Sequence, residues 1–278
     1  MSFWYDETFE DICRFGVKVV KQIFSEQSEF QLIEIFESTG FGRILAIDNL
    51  FMTSERDEYF YHEMLVNPVM TTAPSVKRVL VIGGGDGGTI REVLSYPEVE
   101  KVVLVEIDGV VVEASKKYLP SIGGDAWNDP RLELLIADGI DYVANAAPES
   151  FDVILLDHSD PVGPAKGLFN KSFYDGCKTL LGKRGVFCLQ SESPLLQRET
   201  FLEISHTLGQ VFNRVHPYFG IVPIYPNSAW SWTYAAEETE PLAVREDRIA
   251  IPELRCKYYN RDIHKAAFAV PNDLKKRL

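Results

Sequence analysis

Carboxylates recur at one kind of place in this chain, directly after short apolar runs. VLVIGGGDGG carries Asp86, KVVLVEID carries Glu106 and Asp108, RLELLIADG carries Asp138, and FDVILLDHSD carries Asp157 and Asp160. Four successive runs ending this way exceed what surface polarity alone would place. Gly83, Gly84, Gly85 and Gly87 form a turn that lets a ligand approach the backbone at a helix start, the usual cradle for a phosphate. Asp86, in the middle of it, would repel a phosphate. The turn therefore suits a nucleoside without a pyrophosphate, which disfavours nicotinamide and flavin dinucleotides. Adenosine joined to sulfur, as in S-adenosylmethionine and its relatives, meets the requirement, with Asp86 facing the amine of the ligand's side chain. Glu106 follows the turn by about 20 residues, where a nucleotide-binding fold places the acid that accepts from ribose hydroxyls. Asp138, just before Gly139, suits two roles: capping the next helix, or accepting from an adenine amino group.

Carboxylates at strand ends need a sheet to present them. KRVLVIG, KVVLVEI, RLELLIA, FDVILLD and GVFCLQ are continuous apolar runs separated by helical stretches that include TIREVLSY, GVVVEASKKYL and SFYDGCKTLL. Such runs indicate parallel strands covered on both faces, with ligands beyond their carboxyl ends. VFNRVHPYFG and AWSWTYAA follow without a full helix between them and add antiparallel strands at an edge; alternation puts Trp230 and Trp232 in the core. Before the series, residues 17–53 read as β-rich (VKVVKQIF, FQLIEIFES, GRILAI, LFMTS), with breaks at TGFG and DN. From Asp57, DEYFYHEMLVNPVM carries helical spacing with acids in its first turn. The expected fold is α/β: a doubly wound, Rossmann-like sheet of the methyltransferase type over residues 57–278, with a small N-terminal β domain over 1–56.

The bulk numbers fit a packed globular protein: 278 residues, 46% hydrophobic and 25% charged. A formal charge of -13 argues against nucleic acid or an anionic membrane as partner. It agrees with a cationic substrate, which an acidic cleft concentrates. Cys13, Cys177, Cys188 and Cys256 are scattered without a zinc spacing, so reduced thiols are expected. The acidic start MSFWYDETFEDI lacks the apolar core of a signal peptide, and no run reaches the roughly 18 apolar residues of a membrane span. A cytoplasmic location is the expectation.

The chain resembles the polyamine aminopropyltransferases over nearly its whole length. The likeness rests on WYDE, FQLIEIFES, TSERDEYFYHEM, GGGDGGTIREV, VEID, SKKYLP, DGxxY, FDVILLDHSDPVGPAKGLF, PIYPNSAW and KYYNRDIHKAAFAVP, each weak alone and specific together. The resemblance implies transfer of an aminopropyl group from decarboxylated S-adenosylmethionine, a co-substrate rather than a cofactor, to a diamine such as putrescine. The products would be spermidine and methylthioadenosine, with no metal involved, and the enzyme a homodimer or homotetramer. It further implies that Gln31, Glu106, Asp138, Gly139 and Pro164 line the nucleoside pocket and that Asp86 holds the aminopropyl amine. Asp157 matches the proton acceptor, and Tyr61, His62, Asp160 and Tyr225 lie along the acceptor channel. His158 departs from the family, which commonly has serine after the catalytic aspartate.

The implied chemistry makes sense of these residue types. A sulfonium leaves readily, so the obstacle is a nucleophile that arrives protonated; a carboxylate in reach can take that proton. Asp157 is the candidate base, raised by partial burial and by nearby Asp160. Asp160 anchors the distal ammonium, in a loop stiffened by Pro161 and Pro164. Tyr61 and Tyr225 offer hydroxyls to the attacking amine and ring faces to a cation. Plainer readings stand beside these: His62, Tyr61 and Tyr225 could each be core residues, and His158 is either a hydrogen-bond partner or an exposed loop residue. The nearest rival is an S-adenosylmethionine-dependent N-methyltransferase of a polyamine, against which Asp86 speaks because it would confront the intact cofactor's carboxylate. The other is a non-catalytic binding module, against which the intact set of Asp86, Asp157 and Asp160 speaks. Putrescine, cadaverine and agmatine are all open as acceptors.

Overall fold

The computed structural model describes residues 2–9, 12–160 and 163–278, without the side chain of Pro164. Two sheets carry the chain. The first is antiparallel in sequence order: β1 (Phe3–Phe9), β2 (Cys13–Gln27), β3 (Leu32–Ser38), β4 (Arg43–Ile47) and β5 (Leu50–Ser54). The second contains β6 (Arg78–Gly83), β7 (Lys101–Glu106), β8 (Leu132–Ile136), β9 (Val153–Asp157), β10 (Val186–Gln190), β11 (Arg214–Ile221) and β12 (Ala229–Ala236). Their spatial order is β11-β12-β10-β9-β6-β7-β8. Strands β6 to β10 are parallel neighbours, and β12 runs antiparallel between β10 and β11. The doubly wound sheet with a small β unit is thus present. The order reverses between β6 and β9, where such folds leave a crevice for ligands.

The apolar strands explain the two cores. In β6, Val79 and Val81 point to one face while Leu80 and Ile82 point to the other, all within 2% of full burial. Strands β7 and β9 alternate the same way. Helices α1 (Glu58–Met70) and α2 (Gly88–Leu94) cover the first face, and α5 (Gly139–Asn145), α6 (Lys171–Leu181) and α7 (Arg198–Gly209) serve the second. Between these groups, α3 (Gly109–Tyr118) and α4 (Pro120–Gly123) pack Val111, Ala114, Leu119 and Ile122 against Ile33, Ile35, Leu45 and Ile47 of the N-terminal sheet. Short helices α8 (Glu246–Arg255), α9 (Arg261–Ala267) and α10 (Asn272–Lys275) finish the chain.

Helix α1 is buried almost all round, so its expected amphipathic stripe is absent. Pro68 inside it cannot donate to the Met64 carbonyl one turn back. The Tyr218 hydroxyl, from β11, donates to that carbonyl instead at 2.8 Å. Trp232 and Trp230 are core residues as the alternation predicts, 0% and 7% exposed. Strand β1 lies outside the expected β-rich stretch, and its pattern is inverted: Phe3 and Trp4 are exposed while Glu7 is buried. No helix among the described residues is long and apolar enough to cross a membrane.

Candidate functional site

The crevice is built where β6 meets β9. Gly83 pairs with Asp157 across the two strands. It has φ +77°, and a Cβ there would collide with the Asp157 carbonyl, so only glycine fits. The turn then carries Asp86 forward, and its Oδ1 accepts from the Gly88 N–H at 2.8 Å. A hollow of about 1010 Å³, including its open mouth, lies over these strand ends. Gln31, Asp86, Glu106, Asp138, Asp157 and Tyr61 are among its walls.

On the nucleoside side, Glu106 ends β7 and is 8% exposed. Its Oε2 accepts from the Gly85 N–H at 3.1 Å and its Oε1 from the Asp108 N–H at 3.0 Å. Burial pushes its carboxyl up to about 7 against these bonds. Asp138 does cap a helix: its Oδ1 accepts from the Ile140 N–H at 2.7 Å while the residue also borders the hollow, so the adenine role stays open. Gln31 comes from the N-terminal sheet and donates to Asp108 Oδ2 at 3.0 Å. Ser28 donates to the same oxygen at 2.6 Å, and Asp108 Oδ1 caps α3. Pro161 lies outside the described residues. Pro164 belongs by its backbone to a 3-10 turn, Gly163–Leu168, and its side chain lies outside the described part.

On the amine side, Asp157 accepts from Tyr61 at 2.8 Å through Oδ1 and from Thr89 at 2.6 Å through Oδ2. Burial and then the charge of Asp86 raise its carboxyl above the ordinary range, with His62 pulling the other way. The neighbouring carboxylate that acts is therefore Asp86, where the sequence pointed to Asp160. Asp160 points into a second chamber instead. His62 is no plain core histidine, since its two ring nitrogens meet Glu58 and Asp86 at 2.7 and 3.2 Å. Against burial, that imidazole holds the Asp86 carboxyl below its usual range. Tyr61 packs its ring on Trp232 yet spends its hydroxyl on Asp157, so it serves core and site together. Tyr225 donates to the Met52 carbonyl at 2.9 Å, with its ring 4.5 Å from Trp230. His158 is half-buried against Phe169; its Nδ1 donates to the Ser159 carbonyl, and burial pulls it down to about 4, so the ring is neutral.

The second chamber, about 550 Å³, shares Met52, Tyr61, His158 and Tyr225 with the first. Its far walls include Glu7, Asp160, Gln190 and Gln197. Gln197 donates to Asp160 at 3.0 Å and to Glu192 at 2.6 Å. Glu192 is fully buried and sits at φ +67°, a strained backbone of the kind that gathers at functional sites. Burial, then the Asp160 charge, hold its carboxyl well above the usual range. Glu7 is raised to about 7, by burial first and by Asp160 as well, and its Oε2 accepts from the Phe51 N–H. The sequence reading missed Glu7, Thr89, Glu192 and Gln197. Glu192 was within reach of the same rule that found the others, because LQSES puts it just past the fifth apolar run.

Comparison with known proteins gives a consistent result. A profile described as "Spermine/spermidine synthase domain" matches residues 58–246, and one described as "Spermidine synthase tetramerisation domain" matches residues 3–55. The chain is 41% identical over 275 residues to a polyamine aminopropyltransferase of Thermoanaerobacter sp. (strain X514), spanning 99% of this chain and 98% of the relative. It is 42% identical to the Bacillus subtilis polyamine aminopropyltransferase, over 97% of this chain and 96% of that one. The crystal structure of the Thermotoga maritima spermidine synthase matches with a TM-score of 0.94 at 39% identity, covering 99% of this chain and 94% of that one. A spermidine synthase structure in complex with the transition-state analogue AdoDATO superposes with a TM-score of 0.95, at the same identity and coverage.

Proposed function

The chain belongs to the polyamine aminopropyltransferase family, and from that premise we propose that it extends putrescine with decarboxylated S-adenosylmethionine, giving spermidine and methylthioadenosine. One observation carries the choice: a nucleoside-sized hollow and a short chamber whose far end is acidic share Tyr61 and Tyr225 as a common wall. A diamine spanning that wall keeps one ammonium near Asp160 and Glu7 and brings its other nitrogen to Asp157.

In this reading the donor's nucleoside lies against Gln31, Glu106, Asp138, Gly139 and Pro164, and its aminopropyl ammonium reaches Asp86. His62 backs Asp86, and Tyr61 orients Asp157. The attacking ammonium gives a proton to Asp157 and becomes a free amine. Its lone pair forms the new C–N bond at the aminopropyl carbon as the C–S bond breaks and sulfur keeps the bonding pair. One proton leaves overall, from Asp157 to water. Proximity of two held reactants supplies much of the remaining acceleration. The N-terminal sheet exposes Phe3, Trp4, Ile12 and Val20, 43–65% accessible each, which supports a homo-oligomer and, we infer, a homotetramer.

Incubation with decarboxylated S-adenosylmethionine and putrescine, cadaverine or agmatine, with products weighed by mass spectrometry, tests the proposal. Putrescine is expected to be the best acceptor by kcat/KM. A higher value for cadaverine or agmatine would overturn the assignment of acceptor.

A further inference from the structure

Behind Asp86 runs a line of charged groups, buried at His62, Glu58 and Glu92 and partly exposed at Arg91 and Arg255, that the transfer step does not touch. Asp86 meets His62 Nε2, and His62 Nδ1 meets Glu58 Oε2. Arg91 donates to both Glu58 oxygens, each at 2.9 Å. It also donates to Glu92, which in turn accepts from Arg255 at 3.0 and 2.6 Å. With a protonated His62, signs alternate along the whole line. His62 and Glu92 are each 1% exposed, so this is no solvated surface row of the kind that contributes little.

A neutral imidazole has one donating and one accepting nitrogen. His62 meets a carboxylate oxygen at each nitrogen, so a neutral ring would set a lone pair against one of them. A ring carrying both N–H groups suits the hydrogen bond to Glu58 and the 3.2 Å ion-pair contact with Asp86 together, whereas a neutral ring suits both only if one carboxyl holds the proton. Arg91 decides where the shared proton sits: with two donors on it, Glu58 is a poor proton acceptor, and the proton stays on the ring. A positive charge is useful there because a ring nitrogen of His62 and a carboxylate oxygen each of Asp86 and Asp157 all lie within 4.8 Å of one another. Two carboxylates that close suppress each other's ionisation.

We propose that Glu58 and Arg91 are positioning residues that hold His62 as a doubly donating imidazolium, the internal counter-ion of Asp86 and Asp157. The inference rests on the reading of this site as an aminopropyl-transfer centre and adds that both amine-side carboxylates are ionised before substrate arrives. The groups facing the ring are Glu58 from its own helix, Asp86 from the turn and Asp157 from β9. Tyr61 lies beside it and Arg91 stands behind Glu58. Burial opposes the charge, but Asp86 and Glu58 together outweigh it.

Nitrogen-resolved NMR of the imidazoles in the full-length protein tests this, with His62 assigned by its loss in His62→Gln. Both ring nitrogens are expected to stay protonated from about pH 7 to 9, a range in which an ordinary histidine is largely neutral. Arg91→Met shifts the proton off the ring and Arg91→Lys restores it; if Arg91→Met does not fold, Glu58→Gln makes the ring titrate within that range. A neutral His62 ring in the wild type overturns the proposal, as does a ring unaffected by Arg91→Met or by Glu58→Gln. In turnover, His62→Gln moves the acid limb of kcat/KM for the diamine up by about one pH unit, because the two carboxylates lose their counter-ion. Arg91→Lys keeps the wild-type limb. An unmoved limb in His62→Gln also overturns it. If the wild type fails to turn over the donor and a diamine, the functional reading falls instead, and the NMR result still decides the state of the ring.

Discussion

Asp157 has both oxygens occupied by hydroxyl donors, so it is held in place before it accepts any proton. Asp157→Asn preserves the shape and removes the proposed base; kcat is expected to fall about 10²–10⁴-fold. Methylthioadenosine affinity, measured by calorimetry, stays within about twofold, since each tenfold step would need about 1.4 kcal/mol of lost contact. Glu106 gives a pH signature of its own. Its carboxyl is raised to about 7 by burial, and in the proposed reading ribose hydroxyls donate to the ionised form. Binding therefore favours loss of its proton, and methylthioadenosine affinity rises with pH up to about 7 and levels off above. Glu106→Gln weakens donor and methylthioadenosine together and flattens that profile. A pH-independent affinity in the wild type would remove the ribose contact from Glu106.

Elements explain which residues could be read from the sequence. Strands β6 to β9 are apolar runs ended by acids, so Asp86, Glu106, Asp138 and Asp157 were legible, and the structure gathers them around one hollow. Thr89 was hidden because a hydroxyl one residue into a helix looks like any first-turn residue. Glu58 and Arg91 were hidden because buried ion pairs on two helices leave no spacing signal in the chain. Strand β1 went unread because it turns Trp4 outward and Glu7 inward, against the pattern that marks a strand. The glycine turn is the element least tolerant of change. Gly83→Ala is expected to destabilise the fold by roughly 2–4 kcal/mol, from a left-handed backbone and a clash with the Asp157 carbonyl. The thermal midpoint then drops by several degrees or more. A midpoint within about a degree of wild type would show that β6 and β9 can separate freely.

In the proposed reading the whole molecule divides the two substrates between its sheets. The nucleoside walls come mostly from the large sheet, with Gln31 reaching across and tied to Asp108. The second chamber takes Glu7, Phe9, Leu50, Phe51 and Met52 from the small one. Glu7→Gln is therefore expected to raise KM for the diamine about tenfold, roughly 1.4 kcal/mol, and to leave KM for the donor unchanged. An equal rise in both would mean that Glu7 supports the fold rather than the acceptor. The strand that offers Glu7 to the chamber also turns Phe3 and Trp4 outward, on the sheet matched by the tetramerisation profile. If Glu7 reads the acceptor as proposed, acceptor choice and assembly share one short module and should transplant together. A chimera carrying residues 3–55 of a relative with a different amine preference would inherit part of that preference and that relative's oligomeric state in one exchange. On that reading, a change in this module alone would open a route to a new polyamine without any change in the groups proposed to perform the transfer.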